Sequence, residues 1–341
     1  MFSKAPPPFQ LNEKVVLVTG ALTAVGRQLA KRLASQGASV SLVDTQADGS
    51  GELLSTEINA LVSRQASIYL QTDLRQPNDI RLMIEATVLT FGRLDVLVNN
   101  AQSIIDHMSG EEDVQRVCDS IDVNLRAPVV ATWVFARYLK QAGRTGIVVN
   151  VAAMAGLVPG RGREVYGAAN AGLIHFTEAN RQLAPEIRVC ALAPYYLDSL
   201  VDAGGFGRGS GQHGMGSERL LPGNRLGAAL TLSSEQVVAA VIRCIEDSRL
   251  NGRTLLIAGR STYTHTWAFL LARLHMFAIM VWSMFVLILQ RLLRRRPLQE
   301  PGSVNDETIA DDEAFSEDCA ASKTKEEAEE TLEVLSAKKT L

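Results

Sequence analysis

The chain has 341 residues, 47% of them hydrophobic, which is enough for one large packed domain or two small ones. Its net charge of −3 hides a division: residues 300–341 hold thirteen acids against four lysines, a net of −9, which leaves +6 for the remainder. No basic patch interleaved with aromatics occurs, which excludes a nucleic-acid partner from the reading, and Cys118, Cys190, Cys244 and Cys319 lack metal-ligand spacing, so no metal is expected.

Residues 1–10 are polar and proline-rich, without the apolar core of a signal peptide, and are read as a flexible N-terminus. An apolar β-branched run follows (Val15, Val16, Leu17, Val18). It leads through Thr19-Gly20-Ala21-Leu22-Thr23-Ala24-Val25-Gly26 into a helix whose apolar residues are Leu29, Ala30 and Leu33. A strand that turns through glycines into a helix aims backbone N–H groups and the positive end of the helix at one point, and that point suits a pyrophosphate. A second strand, residues 40–44, ends in Asp44, 24 positions after Gly20. A carboxylate there bonds both ribose hydroxyls of NAD and repels the 2′-phosphate of NADP; the plainer reading of Asp44 is a capping residue.

Helices and strands then alternate: a helix at 53–63, a strand at 67–73, a helix at 80–90 and a strand at 94–100. A long helix over 112–141 precedes a strand at 147–151. After a helix at 165–182 and a strand at 188–193, the last pair is a helix at 235–247 and a strand at 254–258. The sheet is expected to be complete by Gly259. Such alternation predicts a parallel sheet with helices on both faces and ligands at the carboxyl ends of the strands. The seven glycines between Gly204 and Gly216 interrupt the pattern, and fit either a lid over a cleft or a plain flexible insertion.

Over residues 11 to 259 the chain resembles the short-chain dehydrogenase/reductase family. Thr19-Gly20 with Gly26 matches the family's cofactor turn, with Ala24 in place of its middle glycine. Asp73-Leu74 matches the family's acid that contacts the adenine ring. Asn99-Asn100-Ala101 matches the fourth-strand motif, with Gln102 in place of its glycine, and Asn124 falls where the family keeps an active-site asparagine. Pro194 follows the sixth strand, with Tyr195 in place of a glycine. The resemblance implies a Rossmann-like α/β fold, a doubly wound parallel sheet spanning residues 11–262. It also implies NAD, less readily NADP, held by Gly20, Thr23, Val25, Gly26, Asp44, Asp73, Leu74 and Asn100 together with Tyr166 and Asn170. Ala24 and Gln102 add bulk near the cofactor, although a glutamine can turn away.

Family members use a serine, a tyrosine and a lysine four residues after the tyrosine. The tyrosine exchanges a proton with the substrate oxygen. Its usual pKa near 10 is too high for easy proton removal at neutral pH, and the lysine charge lowers it. Here Tyr166 is present, Ala153 stands at the serine position and Asn170 at the lysine position. Catalytic candidates are therefore Tyr166 and Asn124, with Ala153 and Asn170 as degenerate positions. Losing a positioned proton-transfer system costs about 10²–10⁴-fold in rate. Tyr166 reads equally well as a structural tyrosine on a buried helix face.

Residues 267–290 form the most apolar stretch, interrupted by Arg273, His275 and Ser283 and followed by Arg291, Arg294, Arg295 and Arg296. From Arg273 to Arg291 a helix would rise about 27 Å, close to the roughly 30 Å of a bilayer core. Arg273, Ser283, Gln290, Arg291 and Arg294 also gather on one arc, with His275 off it, as in a helix lying in the interface. The alternative is a helix packed on the globular domain. Residues 297–341 read as an acidic disordered tail, with a short helix over 322–338 capped by Thr324 and Glu327. The final Lys338-Lys339-Thr340-Leu341 resembles a dilysine signal for return to the endoplasmic reticulum; solvated charge is the alternative. With both the domain and the tail in the cytosol, the hydrophobic segment is expected to dip into one leaflet, a spanning helix remaining the other option.

The expectation is a dehydrogenase-like protein on the cytosolic face of the endoplasmic reticulum with a lipophilic alcohol or ketone as ligand. It would act alone or as a homo- or hetero-oligomer with relatives. Three readings stay open: an impaired oxidoreductase, a fully active one using Tyr166, and an inactive scaffold or partner subunit.

Overall fold

The computed structural model describes residues 9–104, 114–159, 162–197, 231–258 and 261–264. All of them lie in the first of the two units into which the chain divides, Met1–Met276 and Phe277–Leu341. The expected anchor at 267–290, the acidic tail, the dilysine end and the glycine-rich stretch at 204–216 lie outside the described residues. Among the described residues no helix is long and apolar enough to cross a membrane.

Seven parallel strands build the sheet: β1 Val15–Thr19, β2 Ser39–Asp44, β3 Ser67–Gln71, β4 Val96–Asn99, β5 Gly146–Val151, β6 Ile187–Pro194 and, after the short pair β7 Tyr196–Leu197 and β8 Thr231–Leu232, β9 Thr254–Ala258. Their spatial order is β9-β6-β5-β4-β1-β2-β3, so the direction of winding reverses between β1 and β4. The carboxyl ends of those two strands bound the crevice in which such sheets hold ligands.

The expectation that the sheet is complete by Gly259 is corrected. A further strand, β10 Ser261–Thr264, pairs antiparallel with β9, with Thr262 opposite Ile257. Among the described residues β10 is the outermost strand on that side, and its Ser-Thr-Tyr-Thr sequence suits such a position. The sheet therefore extends past the expected domain boundary at 262.

Buried on both faces, the strands read as continuous apolar runs, yet alternate residues serve different layers. Val16 and Val18 of β1 join Leu29 and Leu33 of α1 (Ala24–Ser35), Leu54 and Ile58 of α2 (Ser50–Val62), and Val237 and Val241 of the helix Ser234–Glu246. Val15 and Leu17 join Ile80 and Ile84 of α3 (Pro77–Phe91) and Phe135 of α5 (Ala127–Ala142) on the other face. Helix α6 spans Glu164–Ala179, and α7 spans Ser234–Glu246 with a Ser233–Gln236 capping box.

The long helix expected over 112–141 is present from Val114 among the described residues, with a π-helical turn inside it. Among the described residues, α4 Val114–Ile121 runs through a π-helical turn, Asp122–Arg126, into α5 without leaving helical geometry. Such a turn inserts one residue into the helix and re-aims the side chains on it. Asn124 sits in that turn, buried.

Candidate active site

The turn after β1 is built around two glycines. Gly20 has φ +64°, and a Cβ there would lie 2.8 Å from Ala101 Cα. A Cβ on Gly26 would meet the Gly20 carbonyl oxygen at 2.2 Å. Thr23 caps α1, its Oγ1 accepting the Gly26 N–H at 3.1 Å and donating to Gly20 O at 2.8 Å. Asn100 closes the turn from β4, its Nδ2 donating to Thr19 O at 3.0 Å and Gly20 O at 3.1 Å. The Thr19 hydroxyl accepts the N–H groups of Asn100 and Ala101 at 3.0 and 3.1 Å. Ala24 is exposed at the first helical position, so its methyl faces away from the packed turn.

The chemistry of this turn fits a dinucleotide. No acidic side chain lies in the first turn of α1, Val25 is buried behind it, and the Arg27 guanidinium donates Nε–H to Leu22 O at 3.0 Å. The helix end and that cation together favour a pyrophosphate. Asp44, at the end of β2, accepts the Leu22 N–H at 2.9 Å on one oxygen and the Thr45 N–H at 2.8 Å on the other. Asp73 is gripped by Arg75, whose Nε and Nη2 each donate to it at 2.9 Å; those bonds hold its carboxyl below the usual carboxylate range. Arg75 also reaches Asp119 on α4 at 2.9 Å, so Asp73 and Asp119 share one guanidinium, and Leu74 beside Asp73 is buried.

Tyr166 and Asn170 lie one turn apart on α6, 4% and 1% exposed. The Asn170 Nδ2 donates to the Tyr166 main-chain carbonyl at 2.8 Å, so the amide is folded back along its own helix. Ala153, at the end of β5, precedes a 3₁₀ turn at Met154–Gly156 and offers no hydroxyl. The Tyr166 hydroxyl donates instead to Gln102 Oε1 at 2.9 Å. Gln102 thus turns toward Tyr166 rather than away from the site. Its Nε2 donates to Val151 O and Ala152 O, both at 3.1 Å, tying the end of β4 to the end of β5.

Asn124 does not bond Tyr166 directly in this arrangement. Its Oδ1 accepts the Ser103 N–H at 3.0 Å, and its Nδ2 donates to Ser103 O and to Ser120 Oγ. It pins the residue that follows Gln102. Beneath the site a buried polar chain runs from Asn99 Nδ2 to Asn150 Oδ1 at 2.8 Å and from Asn150 Nδ2 to Thr177 Oγ1 at 2.9 Å. Neither the bond from Tyr166 to Gln102 nor this chain was expected from sequence. A long polar side chain at a glycine position was the available signal for Gln102.

A family model described as short chain dehydrogenase matches residues 14–204. Human 15-hydroxyprostaglandin dehydrogenase, NAD(+)-dependent by name, is 29% identical over 197 residues, covering 56% of this chain and 71% of that one. The mouse protein of the same name is 28% identical over 254 residues, or 72% of this chain and 90% of that one. The 11-beta-hydroxysteroid dehydrogenase 1A of Arabidopsis thaliana is 30% identical over 204 residues, 59% of this chain and 57% of that one. A solved short-chain type dehydrogenase/reductase from Mycobacterium marinum superposes with TM-score 0.62 at 23% identity, covering 73% of this chain and 96% of that one. A putative short-chain alcohol dehydrogenase from Sinorhizobium meliloti gives 0.64 at 24% identity, covering 74% and 98%. At those identities the two structures speak to the fold alone.

Proposed function

The chain belongs to the short-chain dehydrogenase family, and we propose that it is a membrane-associated member with an impaired proton relay, binding NAD(H) and a lipophilic alcohol or ketone. The observation that carries this reading is the setting of Tyr166. It is buried at the carboxyl ends of β4 and β5, with an alanine at 153, and the amide of Asn170 is turned onto the helix backbone.

NAD(H), when bound, supplies or accepts the hydride. Gly20, Thr23, Val25 and Gly26 would hold its pyrophosphate, Asp44 the adenosine ribose, and Asp73 and Leu74 would flank the adenine. Tyr166 would offer its phenolic proton to a substrate oxygen. Without a lysine charge beside it, that proton leaves slowly. The names of the relatives, a hydroxyprostaglandin and a hydroxysteroid dehydrogenase, support a hydrophobic hydroxylated or carbonyl ligand, and one of those names carries NAD(+). The apolar stretch at 267–290 with its flanking arginines supports attachment to a membrane, and the dilysine end supports the endoplasmic reticulum with the domain facing the cytosol.

Cofactor binding and turnover by the purified full chain in detergent, across a panel of lipophilic ketones and alcohols, tests the reading. Tight NAD(H) binding with slow turnover is the expected result. Ordinary turnover would favour a fully active oxidoreductase, and absence of dinucleotide binding would leave a scaffold or partner subunit of active relatives.

A further inference from the structure

We propose that Gln102 is the positioning residue of Tyr166, holding its hydroxyl as a neutral proton donor, so that near neutral pH the site reduces a carbonyl rather than oxidising an alcohol. The inference rests on the oxidoreductase reading above and adds the direction of the chemistry.

The amide of Gln102 has one workable orientation. Nε2 faces two carbonyl oxygens, Val151 O and Ala152 O, each at 3.1 Å, and carbonyls only accept. Exchanging the amide oxygen and nitrogen would set oxygen against both carbonyls and forfeit two hydrogen bonds. Oε1 is therefore the atom turned to the phenol, at 2.9 Å. It can only accept, so the bond exists while Tyr166 keeps its proton. A phenolate would instead meet the lone pairs of Oε1. A hydrogen bond to the neutral form of an acid disfavours its ionisation.

Gln102 is itself held on both sides. The Thr19 hydroxyl takes the Ala101 N–H at 3.1 Å, and the Asn124 amide takes both the N–H and the C=O of Ser103. The π-helical turn places Asn124 to do this. Position 170, where a cation would pull the other way, carries an uncharged amide bonded to the Tyr166 main chain.

Reduction of a carbonyl needs one hydride at carbon, which reduced nicotinamide supplies, and one proton at oxygen. The phenol turns its O–H from Gln102 Oε1 to the substrate oxygen, the proton leaves Tyr166 Oη as the C=O π pair becomes the new O–H bond, and the resulting phenolate recovers a proton from solvent. Oxidation needs the phenolate beforehand, the state that Gln102 opposes. Reduction should then hold a plateau through neutral pH and fall on the alkaline side, while oxidation rises only there.

The test titrates phenolate absorbance in the full chain in detergent, with Tyr166→Phe as the blank that isolates Tyr166 among the six tyrosines. Gln102→Ala and Gln102→Met are compared, the second filling the same space without hydrogen bonds, and circular dichroism confirms that each folds. Ionisation of Tyr166 should move to lower pH by about one unit, a tenfold change in the ionisation constant, and the alkaline limb of ketone reduction should move with it. An unmoved titration in both folded variants overturns the inference. A moved titration in chains that turn over no substrate supports the role of Gln102 and rejects the oxidoreductase reading instead.

Discussion

The Asp44 carboxylate accepts the Leu22 N–H at 2.9 Å, which ties the end of β2 to the turn that follows β1. The residue expected to choose between cofactors is thus also a brace of the phosphate turn. Asp44→Ala would remove charge and brace together. Asp44→Asn keeps an acceptor for Leu22 and removes the charge together with the acceptor that Thr45 uses. Wild type should bind NAD(H) more tightly than NADP(H), and Asp44→Asn should narrow the gap by roughly tenfold, about 1.4 kcal/mol. Calorimetry with both cofactors checks this. A preference for NADP(H), or a gap unmoved by Asp44→Asn, would refute the assignment.

A second expectation concerns stability. Thr177 accepts from Asn150 and donates to Leu173 O at 2.9 Å, and both side chains are fully buried. Thr177→Val preserves shape but leaves the Asn150 Nδ2–H without its partner, which should cost about 1–3 kcal/mol in denaturant unfolding. Thr177→Ser retains the hydroxyl and should cost less. An undiminished stability in Thr177→Val would refute the role of the hydrogen bond, and a loss confined to Thr177→Ser would place the contribution on the methyl group.

The sheet and its helices were readable because their signals are local. Val15 to Val18 is a β-branched run ended by glycine, and Leu29 and Leu33 fall at helical spacing within a few residues of it. Gly20 and Gly26 were readable for a related reason, since a positive φ and a 2.2 Å approach admit no other residue. What stayed hidden depends on partners far along the chain. The π-helical turn is tied to the bonds between Asn124 and Ser103, 21 positions away, and helical periodicity carries no mark of it. The direction of Gln102 is fixed by two carbonyls at the end of another strand. β10 escaped because four polar residues after a glycine resemble a loop until β9 offers them an edge.

The course of β10 also changes how the membrane expectation is tested. A chain stopped at Ser261 would remove most of a paired strand, and any loss of solubility would then be ambiguous. A chain stopped after residue 265 keeps all of Ser261–Thr264. It should stay in the supernatant while the full chain sediments with membranes. Membrane association that survives deletion of residues 265–296 would place the anchor elsewhere. Protease protection of a tag placed after Leu341 would exclude a cytosolic tail, and with it the retrieval signal.

The last expectation concerns catalysis, where Ala153, Tyr166 and Asn170 stand together but only one of them can move a proton. Wild type should turn over slowly near neutral pH. Ala153→Ser with Asn170→Lys should raise the rate by about 10²–10⁴-fold. The gain should exceed the product of the single changes, because the serine and lysine serve one proton-transfer step. The lysine must leave the pocket in which Asn170 now bonds the Tyr166 carbonyl, and Gly156 leaves little room beside it. Asn170→Lys alone should therefore cost stability, which thermal unfolding would register. Tyr166→Phe should abolish the restored activity. Ordinary wild-type turnover destroyed by Tyr166→Phe would mean that the site activates its tyrosine by another route. Ordinary turnover untouched by that change would place the chemistry on a different residue altogether.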